Sequence, residues 1–327
     1  KISIQADTDV WLEYAGEKGI HGAILSYLSL KKENFYMVEN TVDGKFFVTA
    51  RGWEDLSEIL KSYEELQVEI GEELIGEFLQ KEKIARDFAG YYRLYEKYKS
   101  DYQIQEILDG NVISGQLKTC CDMGKKASFE ERFTVTEMLL EAVTERISVF
   151  QKIDEKTEKL YENLKLLKIF LQEKNSVEAM EQFVASRRKA LDAKICSELL
   201  TAEEAAREEE QIRILEEYFF QLKELHISDV AEGIEQIGER FGNVCRLRNE
   251  KLEETKKMLE QAFSFLEECF GEGQELLLFE TGLTGDDRCS IFISQYGCPS
   301  YFKHCELLLY SKKENELRKE CRDLLEE

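Results

Sequence analysis

The sequence predicts an all-α protein: a small helical bundle carrying a short hairpin, then an elongated antiparallel helical bundle with coiled-coil-like seams. Three observations predict it. The 327 residues include a single proline, and a chain spared proline's missing donor and ring clash sustains long uninterrupted helices. Apolar residues recur at alternating steps of three and four through much of the chain, the signature of one buried helical face. Charged residues make up 34% of the chain and mean hydropathy is −0.43. That balance suits helices that bury one stripe and solvate the rest.

The elements follow in order. Residues 8–30 give one or two helices. Residues 35–40 and 45–50 flank Asp43-Gly44, a two-residue turn signal, which predicts a short hairpin or extended loop. Residues 53–66 form the next helix, with Trp53, Leu56, Ile59 and Leu60 on one face. Residues 69–98 carry further helix with an aromatic stripe of Phe78, Phe88, Tyr91, Tyr92, Tyr95 and Tyr98, read as domain core. Asp109-Gly110-Asn111 and Gly124-Lys125-Lys126 interrupt the pattern and suggest boundaries. The resulting division is 1–108, 109–273 and 274–327.

In the middle segment, residues 133–173 read as one long helix, with Leu160, Leu164, Leu167 and Leu171 spaced four, three, four. Residues 177–200, 212–225 and 234–270 continue in that style. The last carries Ile234, Ile237, Phe241 and Val244, then Leu259, Phe263, Leu266 and Phe270. Seams on successive segments are met most economically by antiparallel packing within one chain. Gly271-Glu272-Gly273 stops the long helices. The tail reads as shorter helices at 290–296, 301–310 and 315–325, with Leu276-Leu277-Leu278-Phe279 either helix or strand.

Composition excludes several function classes. A net charge of −23 and no lysine or arginine cluster free of carboxylates argue against nucleic acid, which needs a basic stripe. The same charge disfavours anionic membrane surfaces, and no apolar run is long enough to span a bilayer. The acidic block from Glu203 to Glu210 reads as a solvated helix start or connector. Nine cysteines, odd in number and without a Cys-x-x-Cys pair, fit buried thiols in a reducing cytosol, so a cytoplasmic location is expected. Cys298, His304 and Cys305 form the one cluster worth naming for a metal, and their spacing matches no common zinc pattern, so no metal is expected. Three histidines and no nucleophile or metalloprotease signature leave little basis for hydrolytic chemistry. His226 extends the seam Ile212, Leu215, Phe219, Leu222 by one further step of four, which predicts a partly buried packing residue.

One stretch stands apart. Thr49 is a plausible N-cap for the helix that follows, which places Arg51 and Gly52 in its first turn. A helix start is already electropositive, so a cation there costs about 0.3–1 kcal/mol unless an anion neutralises it. Glycine in the same turn costs about 1 kcal/mol against alanine. Arg51 therefore meets either an external anion such as a phosphate, or Glu54 or Asp55 within its own helix.

The surroundings extend this motif. Upstream lie Trp11-Leu12-Glu13-Tyr14-Ala15, Gly19-Ile20-His21-Gly22-Ala23-Ile24, Asn34-Phe35-Tyr36 and Asn40-Thr41-Val42-Asp43-Gly44-Lys45. Together with Thr49-Ala50-Arg51-Gly52-Trp53-Glu54-Asp55-Leu56-Ser57, residues 8–100 resemble the helical lid of MoxR-type AAA+ ATPases. The chain departs from that pattern at Gly22 and Ala50, where proline is common. Gly297-Cys298-Pro299-Ser300-Tyr301-Phe302-Lys303-His304 resembles the tail of one branch of the same family.

The resemblance implies that Arg51 is the sensor-2 residue, reaching the γ-phosphate of ATP. It implies ATP and magnesium as cofactors of a full-length parent, a ring of neighbouring subunits, and partners that include von Willebrand factor A domain proteins. No Gly-x-x-x-x-Gly-Lys-Ser/Thr loop or Asp-Glu strand occurs in these residues. The expectation is a C-terminal portion of such an ATPase, inactive alone, whose lid (1–108) clamps nucleotide bound in the core and whose helical extension recruits partners. The alternative expectation is a non-enzymatic helical scaffold.

Overall fold

The computed structural model describes residues 6–41, 44–111, 114–171 and 175–305. Among them are thirteen α-helices and one antiparallel pair of strands, so the fold is all-α. No helix among the described residues is long and apolar enough to cross a membrane. The chain forms two compact units. One takes residues 1–145 together with 258–327, and the other takes 146–257.

The first unit begins with α1 (Thr8–Glu17) and α2 (Gly22–Leu30). A 3-10 turn (Lys32–Asn34) leads into β1 (Met37–Thr41) and β2 (Gly44–Val48). The strands pair from Met37↔Val48 to Thr41↔Gly44, so the residues between the paired ends are Val42 and Asp43. The expected Asp43-Gly44 turn thus lies partly outside the described residues, and Gly44 already belongs to β2. α3 (Ala50–Glu65) follows, then α4 (Glu72–Phe78) and α5 (Glu82–Tyr102).

The helix expected over 69–98 is broken between α4 and α5. There Leu79 is buried and the Gln80 N–H donates to the Phe47 carbonyl at 3.3 Å, tying the break to β2. The centre of this region is aromatic. Tyr27, Trp53 and Phe88 have ring centroids 5.2–5.9 Å apart, and Trp53 Nε1 donates to the Phe35 carbonyl at 3.0 Å. Phe88, Tyr92 and Tyr95 of the expected stripe are buried here.

The sequence boundaries fall elsewhere than the compact units. α6 (Ile104–Asp109) ends at Gly110, whose φ of 67° provides a left-handed cap. That glycine packs directly against the Gln261 side chain of α11 (Val230–Phe270). α7 (Ser114–Gly124) ends at a second glycine, where an added Cβ would lie 2.9 Å from the Phe270 ring. At both glycines the chain packs on the end of α11, and neither starts a new unit.

α12 (Gln274–Gly285) and α13 (Asp287–Tyr296) belong to the same unit. Gly282 of α12 packs against Leu140 of α8 (Phe129–Leu171). Leu276-Leu277-Leu278-Phe279 is helical. Residues 299–305 are helical too, whereas 306–327, with the helix expected at 315–325, lie outside the described residues.

The second unit takes the remainder of α8, α9 (Ser176–Cys196), α10 (Ala202–Glu224) and the first part of α11. Its core interleaves Leu160 and Leu167 of α8, Met180 and Phe183 of α9, and Leu215 and Leu222 of α10. The acidic block opens α10 as a solvated helix start. A reciprocal capping box holds it: the Thr201 hydroxyl accepts from the Glu204 N–H, and Glu204 accepts from the Thr201 N–H.

His226 is exposed rather than packed. α10 ends at Glu224, and His226 takes a left-handed φ of 57° beyond it, which swings its side chain off the seam. Buried Ile227 takes the packing position instead.

Candidate functional site

The Arg51 turn is built as a capped helix start. Thr49 is extended, its hydroxyl accepts from the Gly52 N–H at 3.3 Å, and its carbonyl accepts the first helical bond from Trp53 at 3.1 Å. Trp53, Leu56 and Leu60 bury the inner face of α3, which leaves the first turn facing solvent. The Arg51 side chain is 78% exposed. Its Nη2 lies 2.7 Å from one Asp55 carboxylate oxygen, and its Nε donates to the other at 3.0 Å. Of the two alternatives open in the sequence, the described chain forms the intrahelical pair, with Asp55 as the partner.

Gly52 has a packing reason. A Cβ built there would lie 2.8 Å from the Phe78 carbonyl oxygen, so the absent side chain lets the end of α4 press onto the start of α3. The turn is therefore fixed by backbone contact. A hollow of about 520 Å³ runs along α4 and the start of α5, lined by Glu72, Glu73, Gly76, Leu79, Gln80, Glu82 and Ala85. Its three carboxylates make it unsuited to phosphate.

Behind the turn, the opposite end of α3 meets a polar hub that sequence spacing does not announce. His21 caps α2: its Nδ1 accepts from the Ala23 N–H at 3.1 Å. Nε2 then carries the proton and donates to Glu64 Oε1 at 2.8 Å. The His21 N–H donates to the Ser57 hydroxyl at 2.9 Å. Glu64 also accepts from Tyr92 at 3.2 Å and from Lys99 at 3.1 Å.

Burial alone would raise the Glu64 carboxyl. The hydrogen bond from His21 and the charge and hydrogen bond of Lys99 outweigh it and hold the group down at about 2. Nearby Glu96 moves the other way, raised by burial and by the Glu64 charge against the opposing pull of Lys99. Chemically the hub is an ion cluster that locks α2, α3 and α5 together. All of its partners lie dozens of residues apart in the chain, and the cap at His21 is the sole local clue.

The third sequence candidate separates into structural contacts. Cys298 Sγ donates to Glu260 at 3.3 Å, and the Ser300 hydroxyl donates to the same carboxylate at 2.6 Å. Buried His304 stacks on Phe263 with centroids 5.9 Å apart, and its Nε2 lies 2.5 Å from Glu267. Among the described residues no group of three or more His, Cys, Asp or Glu is arranged to hold a metal.

No known family model, curated protein or solved structure matches this chain.

Proposed function

We propose that residues 8–100 act as the helical lid of a MoxR-like AAA+ ATPase, with Arg51 as the residue that reads the γ-phosphate. The observation that carries this reading is the Arg51 turn itself. An arginine fork stands at an exposed helix start whose backbone is fixed by the Thr49 cap and by Gly52 against Phe78. Arginine keeps its charge at every physiological pH, and its fork fits two phosphate oxygens as it fits two carboxylate oxygens. The Asp55 carboxylate holds the fork extended, and a terminal phosphate would take over both of its hydrogen bonds.

ATP and magnesium belong, in this reading, to a core outside these residues. The turn offers anion contacts but no hydroxyl–carboxylate set for the metal, since the Thr49 hydroxyl is already engaged by Gly52. Lid rotation coupled to hydrolysis would move the long helices, which would bind client proteins, neighbouring ring subunits or von Willebrand factor A domain partners. The parent is an ATP hydrolase that remodels or activates its clients.

The Arg51–Asp55 pair also favours a second reading, a non-enzymatic helical scaffold in which Arg51 only stabilises its own helix. One experiment separates the two. In the protein carrying the ATPase core, Arg51→Ala is expected to abolish most ATP hydrolysis while leaving the circular dichroism spectrum and nucleotide-free melting unchanged. Arg86→Ala removes another exposed arginine with two carboxylate partners and serves as the control. Equal turnover in both variants rejects the sensor role. A reading frame that encodes no P-loop upstream of Lys1 rejects the ATPase reading altogether.

A further inference from the structure

The hairpin has one covered edge and one open edge. In an antiparallel pair, facing residues alternate between those that exchange hydrogen bonds and those whose N–H and C=O point outward. Val38 faces Phe47, and the Phe47 carbonyl accepts from the Gln80 N–H at 3.3 Å, on the side away from β1. The Val38–Phe47 pair is therefore of the outward kind, and so is Asn40–Lys45 two residues on. The break between α4 and α5 covers the β2 edge at Phe47. On the β1 edge the N–H and C=O of Val38 and Asn40 point away from β2, and among the described residues no backbone group bonds to those of Val38.

That edge is held in place from beneath. Val48 is buried under the ribbon, and Lys81, just before α5, pairs with Glu39. Residues two apart in a strand share a face. On the outer face Val38 and its cross-strand neighbour Phe47 are 50% and 41% exposed, and Tyr36, just before β1, is 51% exposed. Neither proline, lysine nor a bulge blunts β1, the usual protections of a free edge.

A row of free main-chain groups is satisfied by another extended chain, so the edge selects a strand over a helix. Charge selects which strand. The chain carries −23, and exposed Glu33, in no ion pair among the described residues, lies in the turn that leads into β1. A second copy would bring the same −23 to the edge, whereas a basic strand is attracted. We propose that the open edge of β1 docks an extended segment of another protein as a third strand. Its apolar side chains lie beside Tyr36 and Val38, and the lysines or arginines that alternate with them fall on the Glu39 face. The site involves no nucleotide and stands whether or not Arg51 reads a phosphate.

The probe is the capped peptide Lys-Val-Lys-Val-Lys-Val-Lys, dye-labelled and titrated with the full chain by fluorescence anisotropy. Saturable binding with a Kd at or below about 1 mM is expected. In the docked strand the valines face Val38, so their N–H groups point at β1. N-methylation of those amides keeps charge and apolar surface but removes the donors, and is expected to weaken binding about tenfold or more. Val38→Pro removes the edge donor of the chain itself without touching a β1–β2 bond and should weaken binding likewise. Val38→Ala keeps that donor and should weaken it less. Equal binding of the plain and methylated peptides, or no binding at about 1 mM, overturns the proposal. So does a free chain that sediments as a dimer dissociated by Val38→Pro. The methylated peptide decides on the unsubstituted chain even if Val38→Pro fails to fold.

Discussion

His21 does two jobs with one ring, and each fixes the other. Accepting at Nδ1 to cap α2 sets the tautomer that donates from Nε2 to Glu64. His21→Ala removes a cap acceptor, worth about 1 kcal/mol, and a hydrogen bond to a charged group, worth about 1.5–3 kcal/mol. A destabilisation of about 2–4 kcal/mol is expected in urea unfolding, whereas Arg51→Ala should change stability by less than about 0.5 kcal/mol, because an exposed i,i+4 pair contributes no more. Glu64 gives the hub a sign in pH. Its folded carboxyl is held at about 2 against an ordinary 4.5, so its contribution is complete above pH 4.5 and disappears as pH falls through about 2. Glu137 has the opposite sign. Burial, followed by the Glu141 charge, raises it to about 7 from 4.5, so its contribution is complete below pH 4.5 and lost as pH rises through about 7. Glu64→Gln is therefore expected to flatten the acid limb of the stability profile, and Glu137→Gln to stabilise the protein above pH 7 with little effect at pH 4.5. Urea midpoints of the two variants across that range check both signs, and parallel profiles with the parent chain would refute them.

Glycines inside helices show how an element's local preference yields to its neighbours. Gly52 and Gly238 both lie within helices, where alanine is the better helix former by about 1 kcal/mol. At Gly238 of α11 nothing approaches within 4 Å of an added Cβ, so Gly238→Ala should stabilise by about 0.5–1 kcal/mol. At Gly52 the Cβ would meet the Phe78 carbonyl at 2.8 Å, and α4 would have to move. Overpacking against rigid backbone costs about 1–3 kcal/mol, so Gly52→Ala should destabilise despite its better propensity. Thermal melts of the two variants should shift in opposite directions, and a shift of the same sign would mean the α3–α4 contact is loose. The same distinction explains what was legible in the sequence. Helix existence was readable wherever one face is apolar over many turns: the pattern over 133–173 became α8 and that over 234–270 became α11. Turn chemistry was readable at Asp109-Gly110 and Gly124, but the destination of the chain beyond each turn was not. That destination depends on contacts with Gln261 and Phe270, far away in sequence, and no local pattern encodes them. The break at Leu79–Lys81 was hidden because its apolar spacing continues through it, and His226 was misplaced because a helical period was extended past the real end of α10. At the site, Arg51 and the Thr49 cap were legible as neighbours in the chain. The packing reason for Gly52 and the Glu64 hub were not, since their partners come from α4, α2 and α5.

At the scale of the whole molecule, charge is the dominant unbalanced quantity. Sixty-seven acidic side chains face forty-four basic ones, for a net −23. Among the described residues, most of the ion pairs resemble Arg51–Asp55 or Arg86–Glu82, with at least one partner well exposed, and such pairs contribute about 0–1 kcal/mol each. Salt acts on both terms. It weakens the exposed pairs, and it screens the repulsion among the excess carboxylates, which extends beyond single contacts at low ionic strength. The pairs are short-ranged and already solvated, whereas the repulsion sums over the whole surface and grows on compaction. The repulsion should therefore lose more than the pairs do. Raising sodium chloride from about 10 mM to about 150 mM shortens the screening length from about 30 Å to about 8 Å, and the urea midpoint at pH 7 is expected to rise. A fall would mean that the ion pairs outweigh the net charge, and the acidic surface would then have to be counted as a contributor to the fold. Repeating the titration with a salt of equal ionic strength but a different anion separates screening from specific anion binding. Screening predicts coincident curves, whereas anion capture at cationic positions such as Arg51 predicts a larger rise with phosphate than with chloride.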